Sequence, residues 1–199
     1  MSMTKSRRNL RRSGNSAEQG LHAGSGMQTC EYDDTKGGAM DLEEKQYRNA
    51  LGRFTTGVCV VSAVNDVGAP IGMTINSFSS LSLDPSLIQW SIKKQSLCYP
   101  LFSHLESYSI SVLSDRQAYI SHRYARAGDH VMSPEDYSSS GNGAPFIKGA
   151  LAHFECCSWG RMEAGDHDIL IAIVDKFSSD TEGKPLVFFG GAYRPLLIE

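Results

Sequence analysis

The chain has 199 residues, a formal net charge of -3 at pH 7 and a hydrophobic fraction of 41%. This length fits one domain with terminal extensions, and a charge balance this mild favours neither nucleic acid nor an anionic membrane surface as a partner. No apolar run approaches the 18 or so residues of a membrane span. The five cysteines lack CxxC spacing, so they predict neither a metal clamp nor a disulfide framework, and they favour a reducing, cytoplasmic location.

The first 40 residues differ in composition from the rest of the chain. A basic cluster between Lys5 and Arg12 is followed by Ser, Gly, Asn and Gln with few apolar residues. Such a segment buries too little apolar surface to offset its ordering entropy, which predicts a disordered tail over residues 1–40. An arm for an acidic partner, an Arg-rich transit peptide and a start codon upstream of Met40 are the alternatives. Residues 41–199 are predicted to form one domain.

Apolar periodicity predicts a helix from Asp41, with Tyr47, Leu51 and Phe54 on one face and its end at Gly57. Short helices are predicted around residues 97–105 and after Ser114, and residues 126–145 are predicted to form a long loop. Strands are predicted at 58–64, 71–76, 78–83, 87–92 and 108–113, and at about 147–159, 168–177 and 185–193. Consecutive strands without long helical crossovers predict a mainly β, antiparallel barrel or sandwich.

The common nucleotide and hydrolase motifs are missing from the sequence. There is no GxGxxG after a strand and no GxxxxGK[ST], which argues against Rossmann and P-loop sites. There is also no HExxH or GxSxG. The histidines are scattered, and no metal site is predicted.

Three polar segments are candidates for chemistry. Thr74 and Asn76 share one face of a predicted strand and can hydrogen-bond a planar ligand, although an ordinary solvent-facing strand has the same pattern. Residues 93–96, Lys-Lys-Gln-Ser, lie between a strand and a helix and suit a phosphate, or else form a solvated loop. Gly165-Asp166-His167 precedes an apolar strand, where the imidazole either points into a cavity or is exposed on a turn.

Five segments in this order resemble the flavin reductase-like, FMN-binding split-barrel family, which includes reductase components of two-component flavin monooxygenases. The resemblance covers residues from about 43 to 195. Its segments are Phe54-Thr55-Thr56-Gly57-Val58, Gly72-Met73-Thr74 through Phe78, Ser82-Leu83-Asp84-Pro85, Glu163-Ala164-Gly165-Asp166-His167 and Phe188-Phe189-Gly190-Gly191-Ala192-Tyr193-Arg194. Three positions depart from the family pattern: Ser86 replaces the second proline of a Pro-Pro pair, Cys98 replaces a threonine, and Phe188 replaces a tyrosine.

The resemblance implies an antiparallel split β-barrel that forms a homodimer and reduces FMN or FAD with NADH or NADPH. It also implies a flavin-dependent monooxygenase as the partner that receives reduced flavin. His167 is the implied catalytic residue and contacts the nicotinamide. The implied flavin-binding residues are Thr74, Ile75, Asn76, Ser77, Phe78, Gln95, Ser96, Leu97, Cys98, Tyr99, Phe102, Arg123, Tyr124 and Ala125. The implied nicotinamide-binding residues are His167, Phe188, Phe189, Gly190 and Gly191.

Two other functions remain compatible with these residues. One is a flavin-carrying oxidase of the pyridoxamine-phosphate type, whose phosphate-binding Arg/Lys pattern is not visible here. The other is a non-enzymatic flavin- or haem-binding protein, which would ignore NAD(P)H.

Overall fold

The computed structural model describes residues 40–139, 141 and 143–197. The predicted tail therefore lies outside the described residues, except for Met40. The helices are α1 (Met40–Leu51), α2 (Tyr99–Phe102) and α3 (Ala118–Ala125), the last preceded by a 3-10 turn at Asp115–Gln117. The strands are β1 (Thr56–Gly57), β2 (Cys59–Val64), β3 (Pro70–Ile75), β4 (Ser79–Leu83), β5 (Ser86–Lys93), β6 (Ser107–Val112), β7 (Tyr137–Ser139), β8 (Pro145–Ile147), β9 (Ala152–Ala164), β10 (His167–Ser179), β11 (Val187–Phe189) and β12 (Ala192–Arg194).

Seven strands form one antiparallel sheet in the order β3-β2-β6-β9-β10-β5-β4. Strands β3 and β4 are consecutive in the chain, yet they lie at opposite edges of this sheet. The link from Ile75 to Ser79 spans at most about 15 Å, whereas a flat seven-stranded sheet is roughly 29 Å wide. The sheet must therefore curl until its edges approach each other at the Asn76–Phe78 link, which confirms the predicted mainly β, antiparallel fold.

The inside of the curled sheet holds the larger hydrophobic core. Trp90 on β5, Phe102 on α2 and Tyr108 on β6 are each at most 2% exposed and meet edge to face. The indole N–H of Trp90 donates a hydrogen bond to the Tyr108 hydroxyl at 3.0 Å, so the buried polar atoms are paired. A second cluster, which includes Val60, Ile120 and Tyr124, packs α3 against β2.

Several predicted boundaries are wrong for local reasons. Helix α1 ends at Leu51 because the chain turns at Gly52 and Arg53, so Phe54 is not helical. The last predicted strand is two short ones, β11 and β12, since Gly190 and Gly191 both have positive φ and form a tight turn. The predicted loop over 126–145 contains β7, which pairs with β8 in a small hairpin.

Within the 126–145 region, residues 130–132 extend the sheet at its β3 edge. Gly72 N–H donates to the His130 carbonyl at 2.9 Å, and Met132 N–H donates to the Pro70 carbonyl at 2.8 Å. These bonds satisfy backbone groups that an edge strand would otherwise expose. The 126–136 segment is therefore fixed beside β3 along one edge of the sheet.

No helix in the described part of the chain is both long and apolar enough to cross a membrane.

Candidate functional site

A groove centres on Thr74 near the end of β3. Three cavities of about 240, 210 and 340 Å³ meet there, and Thr74 lines all three. The first two also share Asn76, and the first and third share Ser96. We call this continuous surface the Thr74 groove. A larger cavity, about 600 Å³, lies elsewhere and is lined by residues such as Arg116 and Asp180, which carry none of the predicted chemistry.

Strand β3 and its link to β4 form the polar wall of the groove. The Thr74 hydroxyl donates to the Ser121 carbonyl at 2.9 Å, which ties β3 to helix α3. The Ser77 hydroxyl donates to the Ser91 carbonyl and accepts from the Ser91 N–H, at 3.1 and 3.0 Å. These hydroxyls therefore hold the groove in shape, and exposed Asn76, which lines two of its cavities, is the side chain best placed to meet a ligand.

His167 begins β10 and lines the same cavity as Asn76 and Ser77. Its Nδ1 lies 2.7 Å from the Asp166 carboxylate, and this hydrogen bond lowers the pKa of Asp166 below its ordinary value. Lys93, which pairs with His167 across β5 and β10, has its Nζ 3.9 Å from Asp166. The contact with Asp166 orients the ring and favours a proton on Nδ1, which leaves Nε2 to interact with a ligand.

Aromatic side chains form another wall of the groove. Phe188 on β11 and Tyr193 on β12 are register partners whose rings lie 5.7 Å apart, and both line the cavity that Asn76 reaches. The Tyr193 hydroxyl is 2.6 Å from the Ser121 hydroxyl. The ring carbons therefore present an apolar surface beside the polar β3 wall.

The third cavity forms the cationic end of the groove. Ser96 and Leu97, which follow β5, line it together with Arg126 and His130, which follow α3. His130 is the one non-glycine residue with positive φ among residues that the structure describes, at 57°. Its Nδ1 is 3.2 Å from the Gly72 carbonyl, so both the backbone and the ring are anchored to β3. Strained backbone conformations of this kind cluster at ligand sites.

Some predicted flavin-binding residues lie in the core instead of on the groove. Phe102 is 2% exposed beside Trp90, and Cys98 is 3% exposed, where burial raises the pKa of its thiol to about 11. The Tyr99 hydroxyl donates to Asp168 at 2.7 Å. The sequence did not separate the buried residues from the groove residues here, because the short helix α2 carries both buried and exposed side chains.

Arg123 and Tyr124 both bind the Asp136 carboxylate. Both donate to the same Asp136 oxygen at 2.6 Å, and the coulombic attraction of Asp136 raises the pKa of Arg123. Tyr124 still lines one of the cavities, and Ala125 lines two of them. The Arg123 guanidinium therefore fastens the 126–136 segment and does not line the groove.

Five further predicted residues do not line the groove in this chain. Phe78 stacks on Phe154, and Gln95 is exposed. Phe189 packs under the guanidinium of Arg53, 4.8 Å from its ring centroid. Gly190 N–H donates to the Gly52 carbonyl at 2.9 Å, and Gly191 follows it in the turn.

Other groove residues were not identified from the sequence. Tyr193 belongs to the family segment that begins at Phe188. A hairpin turning at Gly190-Gly191 pairs Tyr193 with Phe188, and this spacing could have identified it. Ser91 alternates with buried residues on β5 and was detectable on its outer face, two residues before Lys93, which belongs to the predicted phosphate segment 93–96. Arg126 and His130 gave no signal, because only the pairing of 130–132 with β3 brings them to the groove.

The groove suits a flat heteroaromatic group with an anionic tail. An aromatic wall, the amide of Asn76 and the backbone of β3 match a ring with hydrogen-bonding edges, and the cationic end matches a phosphate. Flavin mononucleotide and flavin adenine dinucleotide both have this composition.

Comparisons with known proteins also identify flavin reductases as similar to this chain. The family described as flavin reductase like domain matches residues 51–197. The chain is 45% identical over 149 residues to an FMN reductase (NADH) of Agrobacterium fabrum, covering 75% of this chain and 84% of that protein. It is 38% identical over 149 residues to the reductase component of a flavin-dependent trigonelline monooxygenase of Acinetobacter baylyi, covering 75% of this chain but 48% of that protein.

A solved structure has the same fold. An NADH:FAD oxidoreductase of Streptomyces globisporus, in complex with NAD and FAD fragments, superposes with a TM-score of 0.74 at 31% identity. The match covers 78% of this chain and 94% of that one.

Proposed function

The chain belongs to the flavin reductase-like domain family, and we propose that it transfers hydride from NADH or NADPH to FMN or FAD in the Thr74 groove. The observation that carries the proposal is the convergence of a β3 polar wall, an aromatic wall and His167 on one surface. Each is a separate part of the sequence, and only the fold brings them together.

The protein contributes position and electrostatics to this reaction. Flavin, when bound, supplies the two-electron acceptor chemistry. Asn76 and the β3 backbone hold the polar edge of the ring, and Phe188 and Tyr193 limit access of water to its face. Reduction of a bound flavin would add negative charge, and the Lys93 ammonium, which lines the neighbouring cavity with Asn76 and His167, would stabilise that charge electrostatically.

His167 orients the nicotinamide. Its ring is half-exposed at the mouth of the cavity and is fixed by Asp166 at 2.7 Å. A fixed donor or acceptor at Nε2 holds a carboxamide in one orientation, which matters because hydride transfer depends on distance and alignment. This role requires no proton transfer by the imidazole.

The phosphate of the flavin fits the cationic end of the groove. Ser96 offers a hydroxyl, and Arg126 and His130 offer positive charge or N–H donors. This assignment predicts that FMN binds more tightly than riboflavin, which has the same ring and no phosphate.

Turnover tests the proposed function. Purified protein is mixed in separate reactions with each pairing of FMN or FAD with NADH or NADPH, and loss of the long-wavelength nicotinamide absorbance is followed. At least one pairing should be consumed continuously in air, because oxygen reoxidises the released flavin. Failure of all four pairings would refute the enzyme assignment.

Reduced flavin from this chain is proposed to serve a flavin-dependent monooxygenase in the cytoplasm. The named relatives include a monooxygenase reductase component, and the four described cysteines are free thiols, which fits a reducing compartment. Adding the oxygenase to the reductase, NADH and flavin should couple nicotinamide consumption to product formation. Product yield independent of the reductase would contradict this partnership.

A homodimer is proposed from the apolar surface of α1. Tyr47 and Leu51 lie one helical turn apart on α1, and Phe54 follows in the turn beyond its end. They are 66%, 55% and 78% exposed, with no cover from the other described residues. A second copy of this chain would bury that stripe. Sedimentation should give a dimer that Leu51→Glu dissociates and that Val67→Glu, in the exposed β2–β3 turn, does not. A wild-type monomer at micromolar concentration would contradict the assignment.

A further inference from the structure

Asp168 carries a fully buried carboxylate, although its neighbour His167 lines the groove. Its relative exposure is 0%. Oδ2 accepts a hydrogen bond from the Tyr99 hydroxyl at 2.7 Å and lies 3.4 Å from Nε of Arg161. Oδ1 is 3.8 Å from the Lys94 ammonium and has no hydrogen bond among the described residues. A buried carboxylate destabilises a fold unless it is paired, so this residue depends on its three partners.

Those partners connect two pieces of the groove. The first piece is the 94–103 segment, which carries Ser96 and Leu97 at the cationic end. The second is the β9–β10 hairpin, which carries His167. Five contacts join them: Lys94 N–H to the Asp166 carbonyl at 2.9 Å, Lys94 Nζ to Glu163 at 3.2 Å and to Asp168 at 3.8 Å, Tyr99 to Asp168 at 2.7 Å and Arg161 to the Ser103 carbonyl at 3.5 Å.

Among the hydrogen bonds, Tyr99–Asp168 is the one made to a fully buried side chain, because Lys94 lies 3.8 Å from Asp168 and forms an ion pair with it. Glu163 is 75% exposed, and the Lys94 and Arg161 side chains are partly exposed, so solvent screens their ion pairs. A short hydrogen bond to a buried carboxylate is screened much less and has a narrow geometry. It is therefore the contact best able to fix the distance between the two pieces.

We propose that Asp168 is a positioning residue for the reductase, which holds the flavin-phosphate side of the groove at a fixed distance from His167 through Tyr99. This inference rests on the proposed function. It gives a role to the Asp168 carboxylate, which is buried and does not line the groove. Asp168 acts through Tyr99 and touches neither ligand.

Tyr99→Phe removes the hydrogen bond and keeps the ring. The matched control is Tyr108→Phe, which also removes one hydroxyl from a buried hydrogen bond, here with Trp90, but breaks none of the contacts between the 94–103 segment and the hairpin. Both variants should lower Tm. Tyr99→Phe alone should raise the flavin Kd, and hydrogen exchange at the backbone amides of Ser96, Cys98 and Tyr99 should accelerate in flavin-free protein, each roughly tenfold for a lost hydrogen bond to a charged group.

A double-mutant cycle separates the effect of the Tyr99–Asp168 hydrogen bond from general destabilisation of the fold. Asp168→Asn keeps an acceptor for Tyr99 and removes the charge, so Tyr99→Phe should have a smaller effect on flavin Kd in that background than in wild type. Equal exchange rates and equal Kd values for Tyr99→Phe and Tyr108→Phe, or additive effects in the cycle, would overturn the positioning role. A wild-type protein that oxidises no NADH would instead defeat the proposed function, and the exchange measurement would still test the Asp168 link.

Discussion

His167 depends on a neighbouring charge for its orientation in the groove. The ring lies 2.7 Å from Asp166, and the same pairing lowers the pKa of Asp166, so the carboxylate remains ionised well into the acidic range. Both residues are substantially exposed, and the contact therefore orients the ring and adds little to global stability. What the pair provides is a fixed imidazole at the mouth of the cavity.

Replacing His167 with Ala should impair nicotinamide use more than flavin binding. Loss of one oriented hydrogen bond predicts a roughly tenfold rise in KM for NADH with flavin Kd changed by less than about twofold. His153→Ala is the control, because that histidine stacks on Phe146 outside the groove. Steady-state kinetics and flavin fluorescence titration measure the two quantities. A collapse of flavin affinity with an unchanged KM would assign His167 to the flavin.

The cationic end of the groove makes a separate prediction at His130. His130→Asn tests it cleanly, since asparagine tolerates the positive φ of 57° found there. The variant should weaken FMN binding several-fold and leave riboflavin binding within about twofold, because only FMN carries the phosphate. Equal loss for both ligands would mean that His130 shapes the ring site instead.

The residues that line the groove were predictable where the chain forms a regular strand. Thr74 and Asn76 were predicted to share one face of a strand, and both line the groove. Phe102 was predicted at the flavin and lies in the core, since a four-residue helix gives too little periodicity to separate buried from exposed faces. His130 was missed because its position is set by a non-local pairing with β3.

At the scale of elements, the 126–136 segment is attached at two places. Its middle pairs with β3, and its end is fastened where Arg123 and Tyr124 both donate to Asp136, which is 5% exposed. The loop prediction for 126–145 identified an irregular region and missed β7 and these attachments. Edge pairing and ion pairs between distant residues leave no periodic signal in the sequence.

Asp136→Asn should loosen this segment without unfolding the domain. Loss of a buried carboxylate with two short hydrogen bonds predicts a destabilisation of about 1.5–3 kcal/mol and faster hydrogen exchange at Gly72 and Met132. Glu135→Gln is the matched control, because it removes the adjacent exposed partner of the same arginine, 3.4 Å away, and should destabilise the protein much less than Asp136→Asn. Similar effects from both variants would place the attachment elsewhere.

At the scale of the whole molecule, curling of the seven-stranded sheet creates both the core and the groove. The same burial suppresses ionisation of core thiols and phenols: it raises the pKa of Cys59 and Cys156 to about 12 each, that of Tyr124 to about 12, and that of Tyr108 further. The antiparallel class was predictable from the run of strands. The meeting of the two sheet edges at the Asn76–Phe78 link was not, because it depends on strand order.

These shifts predict a loss of stability at alkaline pH. A group whose folded-state pKa is raised stabilises the fold fully below its unfolded pKa, and that contribution falls as pH rises towards the folded value. Thiols ionise in the unfolded chain near 9.0 and only near 12 in the folded one, so Tm should be steady to about pH 8.5 and fall steeply from pH 9 to 12. A flat Tm through pH 11 would mean that these groups are not buried.

The reaction proposed for this protein is direct hydride transfer between two ligands held in the Thr74 groove. Anaerobic mixing of the protein, oxidised flavin and NADH in a stopped-flow instrument tests it most directly. One flavin should be bleached for each NADH consumed, and deuterium at the transferring C4 position should slow the bleaching several-fold, because that bond breaks in the step. Absence of bleaching with both FMN and FAD, or bleaching without any isotope effect under single-turnover conditions, would contradict the claim.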